Sequence, residues 1–229
     1  VTPDELRARV LHRDADILIV DKPAGLAVHR GFGRGPTLDD FLDALRFEAA
    51  ARPALAHRLD RETSGCLILG RNRDALRRLG RLFAQGRVEK TYWAVVEGTP
   101  PAEEGRIDLP LKKRSPDYGW WMAPDPEGQP ATTDYRLLAK TGARSILELR
   151  PRTGRTHQLR AHCAAIACAV VGDTIYGPRA GQEKREPLLL HARAVSIPYD
   201  AKSAPVAAEA EPPQTMCEAF RAFGITGLG

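Results

Sequence analysis

Residues 57 to 65 read His-Arg-Leu-Asp-Arg-Glu-Thr-Ser-Gly and form the densest cluster of chemically competent side chains in the chain. The segment is polar, has turn-type composition and runs directly into the apolar stretch Cys66 to Leu69. A loop at the end of a rigid strand is a common mount for function. Asp60 lies between Arg58 and Arg61, whose positive charges favour its ionised form. An ionised carboxylate serves as a nucleophile or a base. The same Asp, with Thr63 and Ser64 nearby, also has the composition of a residue that ties down its own turn. The local residues leave both roles open.

Three other constellations invite a test. Asp60 and Glu62 would stand about 6–7 Å apart on one face of an extended chain, a separation open to a pair of glycosidase acids. Their Arg-rich surroundings fit a polyanion better than a neutral sugar. His157 and His162 are five residues apart, about 140° around a helix, so they do not share a face. Cys163 and Cys168 have the same offset, and structural zinc sites use tighter spacings. No metal site is expected there; His157 is expected to buttress the turn before Arg160, and Cys163 to pack. The glycines between Gly31 and Gly35 lack both the G-K-[ST] ending and the G-x-G-x-x-G spacing of phosphate loops, and read as a mobile loop near the substrate.

Charge narrows the partner. The 229 residues carry 34 basic and 29 acidic side chains, a net charge of +5. Residues 52–90 hold ten basic and four acidic side chains, and residues 144–160 hold five Arg and one Glu, so these stretches are +6 and +4. Together they exceed the net charge, and localised positive charge points to nucleic acid. Arg outnumbers Lys by 27 to 7, and its planar fork suits phosphate and base edges. No run of 18 apolar residues exists, which argues against a membrane span. Val1 to Val10 lack a signal-peptide core. The four cysteines contain no C-x-x-C pair, so a reduced, cytoplasmic protein is expected.

The elements that must position these residues follow from apolar periodicity. Asp16 to Lys22 reads as a strand ended by Pro23 and Gly25. Thr37 and Asp40 open a helix in the manner of a capping box, with Leu38, Phe41, Leu42 and Leu45 inward. Cys66 to Leu69 reads as a buried strand. Arg73 to Gln85 reads as a helix with Leu76, Leu79, Leu82 and Phe83 inward, Arg77, Arg78 and Arg81 outward, and Gly86 as its stop. Further strands are expected at 91–96, 134–138, 145–149 and 191–197, and a helix through Leu159, Cys163, Ile166 and Ala167. Strands and helices interleave without a βαβ rhythm, which predicts an α+β fold with a mixed sheet. Residues 113–130 read as a long surface loop, and the Ala-, Pro- and Glu-rich residues 201–213 as a flexible segment. No linker divides the chain, so residues 1–229 are expected to form one domain with a core at 16–200.

The 57–65 segment closely resembles the central motif of the RluA family of RNA pseudouridine synthases, carried by His57 to Asp60 and Thr63 to Gly65. The resemblance continues in family order. Asp21 to Leu26 is similar to its K-P-x-G element, and Lys90 to Tyr92 to its K-x-Y strand. Gly128 to Ala131 with Thr133 is similar to its G-x-x-A-x-T element, Pro151 to Arg160 and Val171 to Gly177 to its C-terminal motifs, and Leu190 to Ala192 to its last one. Six further elements in order make the resemblance far more specific than the one motif alone. Gly70 and Ala161 depart from the usual Ala and Val, and the tail after Pro198 matches poorly. Only about fifteen residues precede the first strand, so the S4-type RNA-binding domain of many relatives is not expected, as in the short, single-domain members.

The resemblance implies a single, largely antiparallel sheet flanked by helices around a central active-site cleft. It implies isomerisation of uridine in ribosomal or transfer RNA to pseudouridine, without metal or organic cofactor. Asp60 matches the catalytic Asp, acting either at the ribose C1′ or by abstracting a ribose proton. Tyr92 matches the active-site Tyr, and Arg160 the Arg that pairs with the catalytic carboxylate. Arg58, Arg61, His57, Arg155 and Lys22 are the candidate substrate contacts. The partner is RNA, not DNA or membrane, and a monomer is expected. An inactive RNA-binding or ribosome-assembly factor would keep the basic stretches and lose part of the Asp60, Tyr92 and Arg160 set, which is complete here.

Overall fold

The computed structural model describes residues 1–30, 35–114, 121–178, 186–200 and 202–225. Residues 31–34 of the glycine loop, and Trp120 within 113–130, lie outside this set. The fold is α+β, with a mixed, mostly antiparallel sheet. The chain clusters into two compact units, residues 1–90 with 192–211, and residues 91–191 with 212–229.

The first unit opens with α1 (Pro3–Ala8) and β1 (Val10–Arg13), followed by β2 (Ile17–Lys22). Next come the 3-10 helix Leu38–Leu45, the short β3 (Ala54–Leu55), β4 (Ser64–Gly70) and α2 (Arg73–Ala84). β5 (Glu89–Glu97) leads out, and the chain returns later as β11 (Leu190–Ile197) and β12 (Val206–Glu209). The strand order is β1, β2, β4, β11, with β3 on β4 and β12 on β11. Ile17 to Val20 and Cys66 to Leu69 are wholly buried. Burial on both faces explains why these strands read as unbroken apolar runs rather than alternating ones. One face, with Ile17, Ile19, Cys66, Ile68, Val195 and Ile197, packs in one cluster with Leu79 and Leu82 of α2. The Asn72 carboxamide caps α2 by accepting from the Ala75 N–H at 2.8 Å, and Gly86, at φ +65°, ends it as expected.

Two expectations are corrected here. The segment 37–45 is helical, with Asp40 accepting from the Thr37 N–H at 2.9 Å, but it winds as a 3-10 helix with Leu38, Leu42 and Leu45 buried. Residues 201–213 are not flexible throughout: β12 pairs Ala207, Ala208 and Glu209 with Ser196, Val195 and Ala194. A four-residue strand reading Val-Ala-Ala-Glu is too short and too poor in large apolar residues to show a period.

The second unit holds the sheet β5, β10 (Arg144–Pro151), β9 (Thr132–Thr141) and β6 (Glu104–Asp108), in that order. A hairpin of β7 (Leu111–Lys113) and β8 (Met122–Pro124) falls partly within 113–130, so that stretch is not entirely loop. Leu111 and Met122 are held there with Ala131 and Ala161. Ala161 belongs to α3 (Gln158–Ala165), and α4 (Gln214–Arg221) buries Met216 and Phe220 against Val95, Ile146, Val171 and Leu189.

Gly65 shows how tightly the first sheet is built. Its φ is +104°, and a Cβ there would lie 2.2 Å from the Ala192 carbonyl oxygen of β11. Gly65→Ala is expected to lower stability by about 3 kcal/mol or more, through backbone strain and a clash with a neighbouring strand. Urea unfolding checks this as a lowered midpoint with an unchanged slope.

Candidate active site

The 57–65 segment is held at both ends and from below. At its start, the His57 Nε2 accepts the Ile68 N–H at 3.0 Å, while Ala56 donates to the Ile68 carbonyl at 3.1 Å. The imidazole thus extends the ladder that β3 makes with β4. Burial, the nearby Lys90 ammonium and this acceptor role hold the ring neutral, and its pKa falls to about 3. Leu59 is buried as an anchor, and the Thr63 N–H closes a turn onto the Asp60 carbonyl at 3.1 Å. Thr63 and Ser64 are buried at the entry to β4.

Lys22 lies beneath this turn and is wholly buried. Its ammonium donates to the carbonyls of Pro23 (2.8 Å), Leu26 (2.9 Å) and Arg61 (3.1 Å). The Arg61 carbonyl also accepts from the Gly25 N–H at 2.9 Å, and the Arg61 Nε returns a bond to the Gly25 carbonyl at 3.0 Å. The turn after β2 and the turn carrying Asp60 are therefore stitched together through Lys22, Gly25 and Arg61. Burial pushes the Lys22 pKa down to about 7, opposed by the carboxylates of Glu62, Asp60 and Asp21. Asp60 itself is half-buried, and Arg58 is exposed.

In the second unit, Tyr92 of β5 is buried and sits opposite Leu149 of β10. Arg160, in the first turns of α3, is 7% exposed. Its Nε and Nη2 donate to Asp173 at 2.7 and 2.8 Å in a two-pronged pair. Burial alone would raise the Asp173 carboxyl, but Arg160 and the N–H groups of Tyr176 and Ile175 outweigh it and hold the pKa below the usual range. Residues 151–160 and 171–177 are joined a second time by His157, whose Nδ1 lies 3.1 Å from the Tyr176 hydroxyl. His157 caps α3 with φ at +50°, a left-handed conformation uncommon outside glycine. Gly172 and Gly177 allow the 171–177 turn, since a Cβ at either would meet carbonyl oxygens at 2.0 and 2.4 Å.

The buried Gln158 organises the loop before α3. Its Oε1 accepts from the Thr153 hydroxyl (2.7 Å) and the Arg155 N–H (3.0 Å), and its Nε2 donates to the Thr132 carbonyl and the Thr133 hydroxyl at 3.0 Å each. The Arg155 Nε donates to the Pro130 carbonyl at 3.0 Å. His162 bridges Thr133 Oγ1 and the Leu109 carbonyl at 2.9 and 3.0 Å. Asp173, Tyr176 and Gln158 were given no role from sequence. A buried Arg needs a carboxylate, and the Asp within 171–177 was the available signal for Asp173.

Comparison with known proteins finds clear relatives of this chain. A family model described as RNA pseudouridylate synthase matches residues 16–165. An uncharacterized RNA pseudouridine synthase of Zymomonas mobilis is 44% identical over 93% of this chain and 97% of its own length. A ribosomal large subunit pseudouridine synthase D of Borreliella burgdorferi is 33% identical over 85% of this chain, which spans 62% of that protein. Like it, several relatives are longer, with the chain spanning less than two thirds of each. Among solved structures, human RNA pseudouridylate synthase domain containing 4 superposes with a TM-score of 0.81 at 27% identity, covering 97% of this chain and 95% of its own.

Two outcomes follow from the buried charges. Arg160→Ala strands the Asp173 carboxylate and is expected to cost about 3–5 kcal/mol of stability, with Arg160→Lys less damaging because charge remains while the fork is lost. Thermal and urea unfolding of both variants check the order. For Lys22, the folded pKa of about 7 lies below the ordinary lysine value of about 10.4, so the unfolded chain binds more protons between them. Stability therefore rises with pH through that window. The wild type is expected to gain about 2 kcal/mol relative to Lys22→Met between pH 7 and 9, read by urea unfolding at both values.

Proposed function

Because the chain belongs to the family of RNA pseudouridylate synthases, we propose that it converts particular uridines of structured ribosomal or transfer RNA into pseudouridine, with Asp60 as the catalytic carboxylate. The observation that carries this is the setting of Asp60. It lies inside the matched span 16–165, on a turn fixed from beneath by the Lys22 ammonium and from one side by His57. A carboxylate so mounted keeps its position while a substrate is brought to it, which is what orientation-dependent chemistry requires.

The reaction breaks the bond between N1 of uracil and the ribose C1′ and forms one between C5 and the same carbon. The C5 proton is lost and N1 gains one. Neither oxidation state nor composition changes, so the chemistry calls for no redox cofactor or co-substrate. The base must leave its stack for the glycosidic bond to be reached, so a flipped nucleotide is the substrate form. In this reading Asp60 acts on the ribose, Tyr92 stacks on the base and serves the proton transfer at C5, and Arg160, anchored on Asp173, belongs to the same catalytic set. Arg58, Arg61 and Arg155 contact phosphates. Lys22 and His57, first considered as substrate contacts, act by holding the Asp60 turn.

The names of several relatives support ribosomal RNA as a target class. We take the chain to work as one catalytic domain and as a monomer, in the cytoplasm; four free cysteines are in keeping with a reducing compartment. Among the described residues no helix is long and apolar enough to cross a membrane.

Asp60→Asn keeps the shape and removes the carboxylate. The variant is expected to fold normally and to retain less than a few percent of wild-type activity. Release of tritium from 5-tritiated uridine in unmodified ribosomal and transfer RNA transcripts measures it. A wild-type protein that binds these RNAs without releasing tritium would instead be an RNA-binding factor.

A further inference from the structure

The site described above leaves one strongly charged face unused. Residues 71–90 hold seven basic and two acidic side chains. Arg73, Arg77 and Arg81 recur every four residues, so they line one stripe of α2 at about 6 Å per step. The opposite face buries Ala75, Leu79 and Leu82. In the same unit Arg7, Arg9 and Arg13 each rest on a carboxylate, from Asp4, Asp21 and Glu48. Arg73, Arg78, Arg81 and Arg87, by contrast, make no ion pair among the described residues.

An open groove of about 660 Å³ adjoins this stripe, lined by Arg77, Arg78, Arg81, Tyr199, Asp16 and Asp74. Its two acids are already engaged. Asp16 accepts from the Asn72 amide at 2.7 Å and the Tyr199 hydroxyl at 3.1 Å, and Asp74 pairs with Arg77. The Arg78 guanidinium lies 4.4 Å over the Tyr199 ring. A guanidinium stacked by its face keeps its N–H edge for an incoming acceptor. Gly80 sits beside the stripe, and a Cβ built there meets nothing within 4 Å. A mid-helix glycine carries a helix penalty relative to Ala, and here it leaves bare backbone next to the arginines.

The direction of α2 connects this face to Asp60. Phe83, near the helix end, stacks on His57 at 5.0 Å between ring centroids, so that end abuts the start of the 57–65 segment. The helix has 12 residues, so its beginning lies about 18 Å away. We propose that the outer face of α2, with its groove at Arg78 and Tyr199, is a docking track for the phosphate backbone of RNA flanking the reacting uridine. This rests on RNA as the substrate class, and adds a binding surface separate from the catalytic turn.

The test compares two triple variants of the full chain, Arg73→Gln/Arg77→Gln/Arg81→Gln and Arg7→Gln/Arg9→Gln/Arg13→Gln, which lose the same charge. Binding of poly(U) is measured against salt. Loss of the track is expected to weaken binding at least tenfold at 0.1 M salt and to reduce the slope of log K against log salt by about 2, the value for three lost single-strand phosphate contacts. Its melting temperature and its single-turnover rate at saturating transcript stay within error and within twofold of wild type. The control triple variant is expected to change the slope little. Wild-type affinity and slope in the track variant overturn the proposal, as does an equal loss in the control, which would make the effect one of total charge. A wild type that releases no tritium from any transcript defeats the catalytic reading alone, because the poly(U) comparison does not depend on turnover.

Discussion

The first unit depends on one buried ammonium. Lys22 is the last residue of β2, opposite Gly65 of β4, and its charge points into three carbonyls rather than into water. Carbonyls at turns lack ladder partners, and burying them unpaired costs about 1–3 kcal/mol each. A single ammonium with three donors satisfies them together. Removing it from water is itself unfavourable, and the fall of its pKa to about 7 measures that opposition. The arrangement holds because the Asp60 turn and the turn after β2 share it. Neither turn can move without breaking bonds in the other.

The second unit solves a similar problem with a pair of opposite charges. Arg160 and Asp173 are both buried, and their two-pronged geometry uses the fork of one and both oxygens of the other. Buried pairs of this kind are weak contributors to net stability but intolerant of losing one member. Here the pair joins α3 to the 171–177 turn, and the Tyr176 hydroxyl ties that turn to β8 by accepting from the Met122 N–H at 2.8 Å. Both units thus fix irregular backbone with side-chain charge where regular ladders end. That is consistent with motifs made of Lys, Arg, Asp and Gly rather than of apolar residues.

This difference sets what was legible. β2, β4, β10 and α2 follow from burial, which leaves a run or a period in the sequence, and all four stand where the apolar pattern placed them. α1, β12 and the β7–β8 hairpin were missed because they are short and bury few side chains each. The motif residues were legible as a set, through resemblance, while their partners were not. Asp173, which pairs with Arg160 from 13 residues away, leaves no periodic trace. Lys22 was placed among substrate contacts because a Lys before Pro-x-Gly normally ends in solvent; only the folded path of the 57–65 segment reveals the carbonyl it meets.

The same lens separates the arginines. An excess of Arg over Lys has no single meaning, since the planar fork serves internal carboxylates and external phosphates alike. Arg106 and Arg152 converge on Asp134, Arg136 and Arg150 on Glu148, and Arg144 on Glu97 and Glu186. These account for much of the basic charge in residues 144–160 and turn it inward, on the protein itself. The +4 of that stretch therefore overstates what it offers a ligand. The basic charge of residues 71–90 is different in kind, because most of it faces outward with no carboxylate to answer it. A count of charges by segment finds both stretches; only the pairing of each guanidinium shows which one is available to a polyanion.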